Sequence, residues 1–314
     1  MSNNILGIHH VTAISGNAQE NVDFYTGVLG LRLVKKTVNF DDPATYHLYF
    51  GNEDGTPGTI ITFFPWSSGE LKGRIGTGQL STTSFSIPEG AMGFWMERFK
   101  KHNIDFKGPQ SRFDEEVLSF RDSDGLQLEL VASVNDNRSA WKRGPVPAEY
   151  AVLGFYHVSL SVEGYERTAG LLTETLEFNK VSETGNRFRY VVAGGGVGKI
   201  VDILCQPEDL PGRMGVGTVH HVAWRTPSEA TQLEMRSNVA KLGYNVTPVL
   251  DRNYFKSIYF REPGHILFEI ATDPPGFTVD EAKEDLGKAL KLPPRLEKNR
   301  MEIEKVLTPL SEPE

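Results

Sequence analysis

Four stretches of this chain open alike: GIHHVTAIS (7–15), LSTTSFSIP (80–88), GFYHVSLSV (154–162) and GTVHHVAWR (217–225). Each reads as a short strand. A segment of helical period follows in every case, ENVDFYTGVLG (20–30), AMGFWMERFKKHN (91–103), ERTAGLLTETL (166–176) and EATQLEMRSNVAKLG (229–243). Each unit then closes on a β-rich run introduced by glycine: GTIITFFPW (58–66), GLQLELVA (125–132), GKIVDILC (198–205) and GHILFEIA (264–271). Further strand-like stretches, TYHLYFG (45–51) and RFRYVVAG (187–194) among them, lie between helix and closing run. A fixed order recurring every ~60–75 residues is the mark of stacked supersecondary units. The expected fold is therefore α+β: four βαβββ modules pairing into two cup-shaped, eight-stranded half-barrels.

A chain of 314 residues exceeds one ordinary core and suits two domains. We expect a first half over 5–134 (modules one and two) and a second over 151–275 (modules three and four). The polar, proline-bearing stretch 135–150, NDNRSAWKRGPVPAEY, reads as their linker. In the tail, 276–314, Thr278 and Glu281 suggest a capping box for one helix. Pro293 and Pro294 then break it before a second, charged helix (295–307). That tail reads as packing or dimerisation material, so a homo-oligomer is among the expectations.

The net charge of -8, without a long basic run, argues against nucleic acid as a partner. The polar opening MSNN and the lack of a long apolar stretch argue against a signal peptide and a membrane span. A single cysteine, Cys205, excludes an internal disulfide; it reads as a buried strand residue and favours a reducing, cytoplasmic setting. The cluster Gly194, Gly195, Gly196 and Gly198 before Lys199 lacks phosphate-loop spacing, with Ile200 where Ser or Thr would follow, and reads as a hairpin turn.

The chemistry sits on histidines of first strands and on a glutamate of a last strand. His10, His157 and His221 hold matching positions in modules one, three and four; module two has Thr83 there. Alternation along a strand puts His10 on one face with Thr12, and Glu269 on one face with Leu267 and Ala271. Ile266, Phe268 and Ile270 then face the core, so Glu269 interrupts an apolar strand where an unpaired carboxylate is costly. A cation removes that cost, and two histidines with one carboxylate form the facial triad of non-haem Fe(II) oxygenases. His10 and His157 both qualify as the partner of His221 and Glu269. The string HHV, shared by modules one and four against YHV in module three, favours His10. If His10 and His221 share one ion, modules one and four must form one cup and modules two and three the other. Glu129 then has no evident partner on its own first strand, and with His157 reads as a relic or structural polar residue.

The strings GIHHVTAIS, FYTGVLGLRLVKKTVNFDDPATYHLYFGNEDGTPGTIITFFPW, HHVAW and DRNYFKSIYFREPGHILFEIATDPPGF resemble the hydroquinone-type ring-cleaving dioxygenases of the vicinal-oxygen-chelate superfamily, over nearly the whole chain. The resemblance implies that the iron ligands are His10, His221 and Glu269, and sets His157 aside. It also implies that Arg252, Tyr259, Thr12, His9 and His220 surround the substrate. Strand parity agrees for Thr12; for His9 and His220 it requires a bulge. The implied cofactor is Fe(II), with Mn(II) as a substitute, and the implied partners are a small aromatic diol and O2. Tyr259 or a histidine would move protons, and Arg252 would stabilise anionic oxygen. The competing expectations are a glyoxalase-like isomerase or lyase using Zn(II), Ni(II) or Mn(II), and a non-catalytic protein that sequesters a small aromatic. The first usually has four protein ligands, and three are found that fit together; the second typically lacks the ligands.

Overall fold

The computed structural model describes residues 4–66 and 71–311. Module one supplies β1 (Ile8–Ser15), β2 (Arg32–Val38), β3 (Tyr46–Gly51) and β4 (Ile60–Pro65). Module two supplies β5 (Gln79–Pro88), β6 (Phe106–Arg112), β7 (Glu115–Arg121) and β8 (Gln127–Ser133). Module three supplies β9 (Gly154–Val162), β10 (Asn179–Thr184), β11 (Arg187–Val191) and β12 (Ile200–Cys205). Module four supplies β13 (Thr218–Thr226), β14 (Leu250–Asp251), β15 (Phe255–Arg261) and β16 (Leu267–Pro275). The glycine cluster 194–198 turns between β11 and β12, and Cys205 is half-buried at the end of β12.

The strands form two eight-stranded sheets, in the orders β14-β15-β16-β13-β1-β4-β3-β2 and β10-β11-β12-β9-β5-β8-β7-β6. Modules one and four thus build one cup, and modules two and three the other, as sharing of an ion by His10 and His221 requires. Each sheet takes one module from 5–134 and one from 151–275, and residues 134–153 between those halves carry no helix or strand. At the centre of each cup the two first strands run antiparallel, and each is flanked by the last strand of its own module running parallel.

The helices follow the apolar stripes of the sequence. The segment expected as one helix over 20–30 is α1 (Ala18–Val22), capped by the Asn17 side chain, which continues as a π-helical turn over Asp23–Val28. The other modules carry α2 (Met92–Lys101), α3 (Glu166–Glu174) and α4 (Glu229–Lys241). Trp95 and Phe99 of α2 are fully buried, with the Phe99 ring 4.5 Å from that of Phe120 on β7.

The chain crosses between cups twice, through segments with a shared string: LKGRIGTG (71–78) and LPGRMGVG (210–217). They bridge each other at Lys72–Val216, Arg74–Arg213 and Thr77–Pro211. A Cβ on Gly76 would lie 2.1 Å from the Leu210 carbonyl oxygen, and one on Gly215 would lie 2.3 Å from that of Leu71. Only glycine lets the two segments approach so closely.

A buried carboxyl joins module one to module two. Asp122 accepts from the Tyr25 hydroxyl through Oδ2 (3.0 Å) and from the Asp124 and Leu126 amides through Oδ1 (3.0 and 2.8 Å). Burial, partly offset by the Leu126 amide, pushes this carboxyl up to about 6. An acid whose folded-state value lies above its unfolded one loses stability as pH rises from about 4 through 6, because the folded state then has to hold the charge. Asp122→Asn keeps the Oδ1 acceptor and places an N–H toward Tyr25. We expect it to stabilise the protein at pH 8 by about 1–3 kcal/mol, a gain that shrinks steadily as pH is lowered from 6 toward 4. Urea unfolding across that range measures it; a gain independent of pH would refute the assignment.

The tail departs from expectation in its first part. Thr278 and Glu281 do not cap a helix: Phe277–Val279 and Lys283–Asp285 form single 3-10 turns. The reason is Lys35 on β2, which is fully buried. Its ammonium binds Asp280 at 2.6 Å and also Glu281, and lies 5.0 Å over the Tyr254 ring. Two carboxylates committed to one buried lysine hold this stretch extended. Phe277 packs with ring centroids 5.1 Å from Tyr49 and 5.0 Å from Tyr254. The second expected helix is present as two short ones, α5 (Pro294–Glu297) and α6 (Arg300–Val306).

Candidate metal centre

Strand pairing explains why two adjacent histidines on each central strand can serve one site. Between β1 and β13, Ile8 faces Trp224 but His10 faces Ala223, so His9 is an inserted residue; likewise Thr12 faces His221 but Ala13 faces Val219, so His220 is inserted. Each is a β-bulge, which breaks the two-residue alternation and re-aims the side chain. The bulge that parity demanded is therefore present on both strands, at pseudo-equivalent positions.

Three ligand atoms converge between the strands. His10 Nε2 lies 3.2 Å from Glu269 Oε2, His221 Nε2 lies 2.9 Å from the same oxygen, and the two Nε2 atoms are 3.4 Å apart. Nitrogen and oxygen ligands ~2.1 Å from one ion at right angles stand ~3 Å apart, so the trio has the size of one face of a coordination octahedron. Glu269 is fully buried and its Oε2 has no hydrogen-bond donor, while Oε1 accepts from Ser257. A buried carboxylate oxygen left bare at the meeting point of two imidazoles suits a cation. Among the described residues this is the one group of three or more His, Cys, Asp or Glu with ligand atoms within 4.8 Å of one another.

The bulged histidines hold the ligand rings from behind. His9 Nδ1 is 2.9 Å from His10 Nδ1, and His220 Nδ1 is 2.7 Å from His221 Nδ1. Burial first, then the neighbouring His10, keeps His9 well below the ordinary histidine range; burial and His221 lower His220 to about 3. Two neutral imidazoles can each accept the ligand ring's Nδ1–H, which fixes the tautomer with Nε2 free for an ion. Burial would raise Glu269, but His10 and His221 beside it hold the carboxyl well below its ordinary range.

The fourth position of the pseudo-symmetric set holds no ligand. Glu269 pairs with Ala223, two residues after His221; the matching place, beside Thr12 two residues after His10, is Thr62. Thr62 Oγ1 bonds Thr12 Oγ1 (2.9 Å) and His47 Nε2 (2.8 Å). The ligand set thus stays open on the module-one side.

His10 and His221 line a cavity of about 410 Å3 walled by aromatic and aliphatic groups such as Phe64, Trp66, Phe255 and Leu267. Arg252 and Tyr259 also line it. Arg252 donates to the Tyr259 hydroxyl (3.3 Å) and pairs with Asp41 (3.0 Å), while burial and Glu269 raise the Tyr259 phenol above its ordinary value. Thr12 is fully buried beside this cavity's ligands rather than in its wall. His47 and Tyr49 line the cavity and were missed in the sequence, although they alternate on one face of TYHLYFG opposite Leu48 and Phe50.

His157 lies in the other cup. Its Nε2 is 3.6 Å from Asp202 and 3.9 Å from Glu129, and the cation there is arginine. Arg112 grips Glu129 through two nitrogens (2.8 and 2.7 Å), and Arg187 and Arg189 hold Asp202. Burial, which would raise both carboxyls, is outweighed by these arginines and His157, and both fall to about 2. Two expectations need correction here. Glu129 does have a partner on its own first strand, Ser84, at 2.7 Å. And because Ser81 is the bulged residue of β5, the position matching His10 in module two is Thr82, not Thr83.

The family model described as the Glyoxalase/Bleomycin resistance protein/Dioxygenase superfamily matches residues 7–130 and 154–270. The chain belongs to that superfamily. Within it, the chain is 50% identical over 309 residues to MhqO of Bacillus subtilis strain 168, named provisionally as a ring-cleaving dioxygenase, covering 98% of each protein. It is 36% identical to the chlorohydroquinone/hydroquinone 1,2-dioxygenase of Sphingobium indicum, covering 93% of this chain and 92% of that one. A crystal structure of a B. subtilis protein, provisionally titled a dioxygenase, superposes with a TM-score of 0.95 at 49% identity over all of both chains. Glyoxalase I of Zea mays, at 15% identity and TM-score 0.62 over 85% of this chain and 92% of that one, shares the superfamily fold.

Proposed function

We propose that the protein is an Fe(II)-dependent dioxygenase that opens hydroquinone- or catechol-like rings with O2. The observation that carries this reading is the three-ligand set His10, His221 and Glu269 with Thr62 at the fourth position. An isomerase of the glyoxalase type needs its coordination sphere largely filled by protein, whereas an oxygenase needs room for both substrate and oxidant. Iron in this trio would supply adjacent positions for a diol oxygen and for dioxygen, and would favour the ionised diol; Mn(II) suits the same ligands. The relatives named for ring cleavage support the same class.

The chain's own groups do the rest. His9 and His220 hold the ligand imidazoles in one tautomer, and Ser257 holds the carboxylate. The aromatic walls grip a planar ring and keep bulk water away. Arg252 and the neutral Tyr259 phenol face the cavity as donors, suited to anionic oxygen developing on the ring. No helix among the described residues is long and apolar enough to cross a membrane; with the single cysteine, this supports a cytoplasmic enzyme.

The test is anaerobic reconstitution with Fe(II), elemental analysis, and an oxygen-electrode screen of hydroquinones and catechols. We expect about one metal ion per chain and about one O2 consumed per diol opened. Failure of the folded protein to take up metal would refute the reading. So would a metal-loaded protein that isomerises thiol adducts without consuming oxygen.

A further inference from the structure

A line of four hydroxyl and imidazole groups runs from the floor of the metal centre to the cavity wall. Thr12 Oγ1 is 2.9 Å from Thr62 Oγ1, Thr62 Oγ1 is 2.8 Å from His47 Nε2, and His47 Nδ1 is 2.9 Å from the Tyr49 hydroxyl. Burial first, then the neighbouring His10 and His221, hold His47 well below the ordinary histidine range, so its ring is neutral, with one N–H and one bare nitrogen. Each member therefore has a single proton to give along the line, and the His47 tautomer sets the direction of the two bonds that His47 makes.

The two ends decide which way. If His47 carries its proton on Nε2, the hydrogen left over is that of Thr12 or, where Thr62 accepts from both neighbours, that of Thr62, which is equally buried and likewise absent from the cavity wall. Thr12 is fully buried, is absent from the cavity wall, and has Thr62 as its one side-chain hydrogen-bond partner among the described residues. A buried donor with no acceptor is the costly outcome. If the protons point the other way, Thr12 donates to Thr62, Thr62 to His47 Nε2, and His47 Nδ1–H to Tyr49. The hydrogen left over is then that of Tyr49, which lines the cavity. Pseudo-symmetry marks the same residue. Tyr49 pairs with Thr62 across β3 and β4 as Tyr259 pairs with Glu269 across β15 and β16, so matching phenols face the cavity from both modules.

We propose that Tyr49 donates a hydrogen bond to an oxygen of the bound aromatic diol, its proton aimed into the cavity by the one-way line Thr12–Thr62–His47. The identity of the acceptor rests on the dioxygenase reading above; the direction of the line does not. His47 is a positioning residue that acts through Tyr49.

Two measurements test this, and they fail separately. In metal-free protein carrying 15N-labelled histidine, with the resonance assigned by its loss in His47→Asn, His47 should be the Nδ1–H tautomer; the Nε2–H tautomer overturns the proposal whatever the enzyme acts on. In iron-loaded protein under argon, Tyr49→Phe should bind a hydroquinone about tenfold more weakly with unchanged metal content, the loss expected for one hydrogen bond. His47→Asn, which keeps an N–H near the position of Nδ1, should stay within about threefold of wild type, and His47→Leu should fall with Tyr49→Phe. Equal affinity in Tyr49→Phe and wild type overturns the proposal. Failure of the iron-loaded wild type to bind any diol overturns the dioxygenase reading, and with it the assigned acceptor, while the tautomer still reports the direction of the line.

Discussion

After reconstitution with Fe(II), a His10→Ala protein is expected to retain little metal and to consume no oxygen, whereas His157→Ala keeps its metal and its turnover. Both histidines are buried, both sit on the first strand of a module, and both lie near carboxylates, so composition alone does not separate them. Their surroundings do. Beside His10, Glu269 Oε2 is bare and a second imidazole nitrogen is 3.4 Å away. Beside His157, both carboxylates are already neutralised by arginines. Removing His10 leaves two ligands, which should weaken metal binding by about two orders of magnitude or more. Removing His157 deletes packing in an otherwise satisfied network, at about 1–2 kcal/mol. Glu269→Gln is the companion: it preserves shape but replaces an anion with an amide, so metal content should fall with little change in folding. Elemental analysis after gel filtration and an oxygen electrode check all three. Iron lost from His157→Ala but kept by His10→Ala would move the site to the other cup.

Replacing Thr62 with glutamate is expected to tighten metal binding and abolish oxygen uptake. The substitution puts a carboxylate at the position that mirrors Glu269. Four protein ligands retain an ion against chelators better than three, and they fill the position that substrate or dioxygen needs. We expect resistance to chelation to rise about tenfold or more and oxygen uptake to fall about a hundredfold. Dialysis against a chelator, followed by metal analysis and the oxygen electrode, separates the two effects. Uptake near the wild-type rate would mean that the open position lies elsewhere.

Much of this site is legible in the sequence. The repeat placed His10 and His221 on equivalent strands, and the apolar partners Phe268 and Ile270 marked Glu269 as the exception in its strand. What alternation could not reveal was the pair of bulges, because a two-residue rule assumes an unbroken ladder. The same blind spot misplaced the module-two equivalent by one residue, from Thr82 to Thr83. His47 and Tyr49 escaped notice because an imidazole and a phenol in a strand of aromatics resemble ordinary packing; their common face was the available signal. Lys35 was illegible for a different reason. A lysine in RLVKKTV reads as solvent-facing, and the acids that bury it arrive some 245 residues later, at Asp280 and Glu281. The repeated GRIGTG and GRMGVG strings are a second legible signal, since they mark where the chain passes between cups.

The arrangement of the sheets also sets a timetable. The cup without the triad is one uninterrupted stretch, residues 79–205, so a chain emerging from the ribosome can complete it early. The cup with the triad is built from modules one and four, which lie far apart in sequence. β1 must wait, exposed along one edge, until β13 has been synthesised, and the outer strand β2 must wait longer for Asp280 and Glu281 to reach Lys35. Such distant pairings form slowly and leave strand edges open to wrong partners. The candidate metal site accordingly forms late relative to the other cup, and the nascent protein offers no complete His10–His221–Glu269 trio until residue 269 has been made.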